Sequence, residues 1–187
     1  MKKILSIAVL SAIALCSQAQ ASELNYNYAH IAYGANVEST SDDGFQIDGS
    51  FKFNDKTYGI IEHRWTDYGI YHSKTTAAGI GIIKPVSDKT DWINEVSYVY
   101  AWEQVDGFGS VDAGGYKIAT GLRGMTAENF EMVGKINYTD FGLLGSGFGA
   151  SVGAVYYVNE SFGITADYEY HPDNEIGIWG IGARFSF

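Results

Sequence analysis

The chain has 187 residues, one Cys, two Pro, 23 Gly and a formal charge of −10. So acidic a protein does not hold nucleic acid or an anionic lipid surface by charge. No run of about 20 apolar residues follows the first 21 positions, which excludes a spanning helix there, and 28 aromatic residues beside so many glycines point to an all-β domain.

Residues 1–21 read as an export address. Lys2 and Lys3 supply a positive start, residues 4–16 an apolar core too short to span a bilayer, and Ala19, Gln20 and Ala21 a small-x-small site, so cleavage is expected after Ala21. Cys16 leaves with this segment, and Leu15 before it is too bulky for a lipoprotein motif. The exported domain, 22–187, keeps 166 residues, a formal charge of −12 and no thiol for a disulfide, metal site or nucleophile.

Residues 24–34 place Tyr26, Tyr28, Ile31 and Tyr33 on a strand whose parity changes midway, so its facing stays open unless a bulge intervenes. After an acidic loop at 38–43, Phe45, Ile47, Gly49, Phe51 and Phe53 alternate with Gln46, Asp48, Ser50 and Lys52. A short turn at 54–56 leads to a strand at 57–67. An Arg facing lipid near the midplane costs about 2–4 kcal/mol, so Glu62 and Arg64 are expected inside, with Ile61, His63 and Trp65 outside. A strand at 74–84 carries Ala78, Ile80 and Ile82 outward and is expected to stop at Pro85, which cannot donate to a ladder. Residues 91–103 turn Trp92, Val96, Tyr98, Tyr100 and Trp102 out and Glu95 in, and an acidic, glycine-rich loop is expected at 104–115. Strands at 116–123, 130–138, 148–158 and 162–170 keep the alternation and place Lys117, Arg123, Glu131, Lys135, Asp167 and Glu169 inside. The last strand, 176–187, sets Trp179, Ile181, Ala183, Phe185 and Phe187 against Gly180, Gly182, Arg184 and Ser186.

These ten strands, with eight the alternative count, are expected to close into a single antiparallel transmembrane β-barrel with both termini on the periplasmic side. The short connections at 54–56, 86–89, 125–128 and 159–161 then share that side, and the longer acidic loops face outward. Phe53, Trp92, Phe130, Phe162 and Phe187 form one aromatic girdle; Phe45, Trp65, Trp102, Tyr116, Tyr138, Phe148, Tyr170 and Trp179 form the other.

With such partner strands in place, the closing strand carrying Trp179, Phe185 and Phe187 resembles that of bacterial outer-membrane β-barrels. From Ser22 onward the chain looks like a small barrel of the class that includes the OmpA and OmpX transmembrane domains, with ten strands rather than eight. The resemblance implies residence in the outer membrane of a Gram-negative bacterium, contact with its lipid, and reading of Phe185 and Phe187 by the barrel assembly machinery. The alternative, a soluble β-sandwich or lipocalin-like barrel, needs an apolar interior where this chain puts charges.

The expected lumen set is Asp48, Glu62, Glu95, Glu131, Asp167 and Glu169 against Lys52, Arg64, Lys117, Arg123, Lys135 and Arg184. Charges in so narrow a space must pair. A monomeric barrel with a side-chain-filled lumen and a structural or surface-interaction role is therefore expected. The alternatives are a narrow passive pore for small cations or solutes and a rim hydrolase using His171 and Asp173 beside Asp42 and Asp43. No Ser-centred motif or metal-ligand spacing accompanies them, and no cofactor is expected.

Overall fold

The computed structural model describes residues 24–36, 43–67, 69–173 and 175–187. The expected leader with its cleavage after Ala21, and Asp42, lie outside these residues. Ten strands follow in order: β1 (Tyr28–Asn36), β2 (Asp43–Asn54), β3 (Thr57–Asp67), β4 (Tyr71–Ser87), β5 (Thr90–Val105), β6 (Gly109–Ala127), β7 (Phe130–Asp140), β8 (Ser146–Asn159), β9 (Phe162–His171) and β10 (Ile176–Ser186). A 3₁₀ turn (Gly142–Leu144) lies between β7 and β8. Each strand pairs antiparallel with its sequence neighbours, and β1 pairs with β10 from Tyr28 opposite Ser186 to Asn36 opposite Ile178. The sheet is a closed ten-stranded barrel, not one of eight. Closure removes the two edges that hydrocarbon would leave without hydrogen-bond partners.

The four short connections share one design. Two-residue turns at 55–56, 88–89, 128–129 and 160–161 each follow a register shift, at Lys52/Asn54, Pro85/Ser87, Met125/Ala127 and Tyr157/Asn159. Asn54 Oδ1 accepts the Lys56 N–H at 2.9 Å and Asn159 Oδ1 the Ser161 N–H at 3.0 Å, the side-chain turns that Asn favours. β4 runs past Pro85, contrary to the expected stop, because the missing N–H falls at the bulge.

Two further expectations change. β1 is in register with both neighbours and needs no bulge. Its parity change is one of chemistry, not facing: Tyr26, Tyr28, His30 and Ala32 point inward, while Ile31 and Tyr33 point outward. The loop expected at 104–115 is only the turn 106–108, with Trp102 opposite Asp112 and Gln104 opposite Ser110. Glycine and aspartate erase the alternation there, but backbone pairing does not need it; Gly114 admits the Tyr98 hydroxyl, which a Cβ would strike.

Outside, the barrel presents Ile47, Ile61, Ile80, Ile118, Ile136, Ile164 and Ile181 to its surroundings. Aromatics flank this band. At the end away from the short turns, rings meet from strand to strand, Tyr33 with Phe45 at 5.3 Å, Phe45 with Trp65 at 5.5 Å and Tyr138 with Phe148 at 5.1 Å. At the other end Phe162 meets Phe185 at 5.2 Å, and the Trp92 indole N–H donates to Thr120 Oγ1 at 2.7 Å, so its polar tip is satisfied.

Candidate functional site in the barrel lumen

Near the four short turns the lumen is apolar. Tyr26, Tyr58, Ile83 and Ile93 form a buried cluster with Leu24, Ile60 and Val133 against it. Beside it lies Glu131, 1% exposed. Arg123 Nε and Nη2 reach its two oxygens at 2.9 Å each, Arg184 Nη1 donates at 2.7 Å and the Tyr157 hydroxyl at 2.9 Å. Both guanidinium groups also stack, Arg123 over Tyr26 at 4.4 Å and Arg184 over Tyr28 at 4.2 Å. A carboxylate with four donors and two stacked cations is the arrangement in which a buried charge is tolerated.

Farther along, Lys135 Nζ binds both oxygens of Glu95 at 2.9 Å, and the Tyr58 hydroxyl donates to Glu95 at 2.7 Å. Lys117 Nζ meets Glu62 at 2.8 Å, and Arg64 Nη2 meets Glu169 at 2.8 Å and Gln46 Oε1 at 2.7 Å. His30 links Asp48 through Nδ1 at 2.6 Å and Thr165 through Nε2 at 2.8 Å. These bonds cross the interior. Arg64 is on β3 and Glu169 on β9, four steps apart in a ring where five is opposite. What space is left is a cavity of about 190 Å³ bounded by these side chains, polar and roomy enough to hold water.

No family model matches the chain, and no curated protein matches its sequence. Among solved structures it is similar to the NanC porin, at 7% identity over 85% of this chain and 100% of that one, with a TM-score of 0.53. It is similar also to the KdgM porin, at 8% identity over 86% and 99%, with a TM-score of 0.50. KdgM has been solved in complex with disordered oligogalacturonate too, matching at 10% identity over 86% and 99%, with a TM-score of 0.50. The fold is that of a small outer-membrane β-barrel. At such identities the likeness speaks for the fold alone.

Eleven of the twelve charges expected in the lumen of this outer-membrane-type barrel line its cavity. Lys52 does not: at the rim it pairs with the turn residue Asp55 at 2.9 Å, because β2 ends two residues later and its long side chain reaches the turn's carboxylate more readily than the interior. The lumen set is thus five cations against six carboxylates, with His30 beside Asp48. Asp167 lies against Gly180, where a Cβ would press on its carboxylate. Phe185 and Phe187 are on the outer face.

At the long-loop rim, the described members of the expected acid–base group, His171, Asp173 and Asp43, each take a separate partner. His171 Nε2 faces Glu169 at 3.4 Å, Asp173 accepts the Phe148 backbone N–H at 2.8 Å, and Asp43 accepts the Tyr33 hydroxyl at 2.7 Å. Among the described residues no group of three or more His, Cys, Asp or Glu side chains is placed to hold a metal. The lumen residues that the sequence reading missed are Tyr26, Tyr28, His30, Tyr58 and Tyr157. The available signal was that Tyr26, Tyr28 and His30 share one parity in a strand whose opposite face carries Ile31 and Tyr33.

Proposed function

We propose that this protein is a monomeric barrel of the Gram-negative outer membrane, exported by residues 1–21 with cleavage after Ala21, whose lumen is closed by its own side chains. Its role is structural or one of surface interaction, with membrane lipid as its solvent and the closing strand, through Phe185 and Phe187, as its signal to the assembly machinery. The observation that carries this reading is the set of ion pairs crossing the interior, Arg64 to Glu169 and Lys117 to Glu62 above all. A solute would have to part them and then the Glu131 cluster beyond, whose charges would be left unpaired where water is excluded.

The cavity of about 190 Å³ favours one second reading, a narrow passive pore for small cations. Six lumen carboxylates against five cations suit cations better than a polyanion of the kind seen with KdgM. Planar-bilayer recording separates the two. The unmutated protein is expected to show only small, rare openings; a large, steady, cation-selective conductance would overturn the closed-lumen reading and make Glu62, Glu95 and Glu131 the first residues to test as its lining.

A further inference from the structure

The residues before β1 do not trail away from the barrel. Tyr26 is 3% exposed, and its hydroxyl donates to Asp91 Oδ2 at 2.8 Å, on β5, four strands around the ring. Its ring meets Tyr58 at 4.9 Å and carries the Arg123 guanidinium at 4.4 Å. Arg123 Nη2 also donates to the Asn25 carbonyl at 2.7 Å, from β6, the strand opposite β1. Leu24 packs on the same apolar cluster. The bend that turns the chain inward is local: the Asn27 N–H donates to Asn25 Oδ1 at 2.8 Å, a side-chain turn of the kind Asn makes. Asn27 itself is clamped on both sides, its Oδ1 accepting the Lys52 N–H at 2.8 Å and its carbonyl the Phe187 N–H at 3.1 Å.

We propose that Asp91, Arg123 and Tyr58 form a binding site at the periplasmic mouth for a phenol-bearing extended peptide, occupied here by residues 24–27 of the same chain, and that this segment is a displaceable stopper over the lumen cavity. The site recognises each part of its ligand separately: an anionic acceptor for the hydroxyl, a cation and an aromatic ring for the phenyl faces, and a guanidinium N–H for the peptide carbonyl. The hinge is fixed by the Asn27 side chain on the β2 backbone and by one backbone bond to Phe187, just past β10, whereas the stopper is held by side-chain contacts of the barrel. Residues 24–26 belong to no strand pairing, so they can leave without breaking the ladder beside them.

The exported chain has no Cys, so a single Ala119→Cys, on β6 at the cavity wall, reports access. Its reaction with a small cationic thiosulfonate is followed in nanodiscs, in an otherwise unmutated background and with Tyr26→Ala. Loss of the buried ring together with its hydrogen bond to a charged acceptor should speed labelling at least about tenfold, and adding p-cresol, the tyrosine side chain as a free molecule, should slow it again. Asp91→Asn, which leaves the segment intact, should speed labelling in the same direction, and heat-modifiable migration checks that each variant is folded. Equal rates in the folded variants, or a Tyr26→Ala rate that p-cresol leaves unchanged, would overturn the proposal. The inference rests on the closed-lumen reading only for its orientation: steady conductance of the unmutated protein would end that reading and leave the labelling comparison standing.

Discussion

Two clusters in the lumen use the same chemistry at different depths. Glu131 is 1% exposed and receives two arginines and a tyrosine hydroxyl. The Glu62 side chain is 27% exposed and meets Lys117 at 2.8 Å and Arg64 at 3.7 Å. Water reaches the second site and is nearly absent from the first. Attraction and desolvation are both large where water is excluded and both small where it is not, so the two clusters should answer differently to the loss of a partner.

The largest effect is expected at the dry cluster. Glu131→Ala strands two guanidinium groups and should cost about 3–5 kcal/mol of unfolding free energy in urea titrations of the lipid-reconstituted protein. Arg123→Ala strands the carboxylate less completely, since Arg184 remains, and should both lower urea resistance and raise bilayer conductance. Gly81→Ala tests the packing beside it: a Cβ there would run into the Tyr58 ring, and overpacking of this kind costs about 1–3 kcal/mol. Lys117→Ala at the wet cluster should cost about 1 kcal/mol or less. A Lys117→Ala loss equal to that of Glu131→Ala would refute the hydration argument.

The smallest effect is expected at the rim. The Lys52 ammonium holds the Asp55 carboxyl in the turn below its ordinary range. A depressed carboxyl stabilises the fold above the unfolded pKa and loses that contribution as pH falls through the folded one. Both groups are well exposed, so Lys52→Ala should leave the urea midpoint unchanged at neutral pH while returning the Asp55 titration, followed by NMR, toward the ordinary carboxylate range.

The facing of most strands was legible because lipid punishes a misplaced Arg64 or Glu131 severely, and the alternation of Ile47 with Asp48 records that selection. The first strand was not, because tyrosine suits either face: Tyr33 outside and Tyr28 inside obey different demands with one residue type. Partner choice was also hidden. That Arg64 comes closer to Glu169 than to Glu62 on its own strand depends on how β3 and β9 are staggered around the ring, which no single strand's pattern contains. Lys52 kept the inward parity but sat too near the end of β2 for parity to decide its partner.

The N–H of Phe187 donates to the Asn27 carbonyl, the hinge from which residues 24–26 turn inward. That bond ties closure of the β1–β10 seam to the closing of the barrel mouth at the short turns. The β1–β10 seam joins the two ends of the domain, the contact with the longest loop to close and so the slowest to gain. A chain that has made its other hairpins but not this seam keeps the Lys52 bond to Asn27 and lacks the Phe187 side of the clamp. Partly assembled barrels should therefore admit small reagents at the short-turn end, and the decline of that leak with time would follow seam closure in refolding experiments.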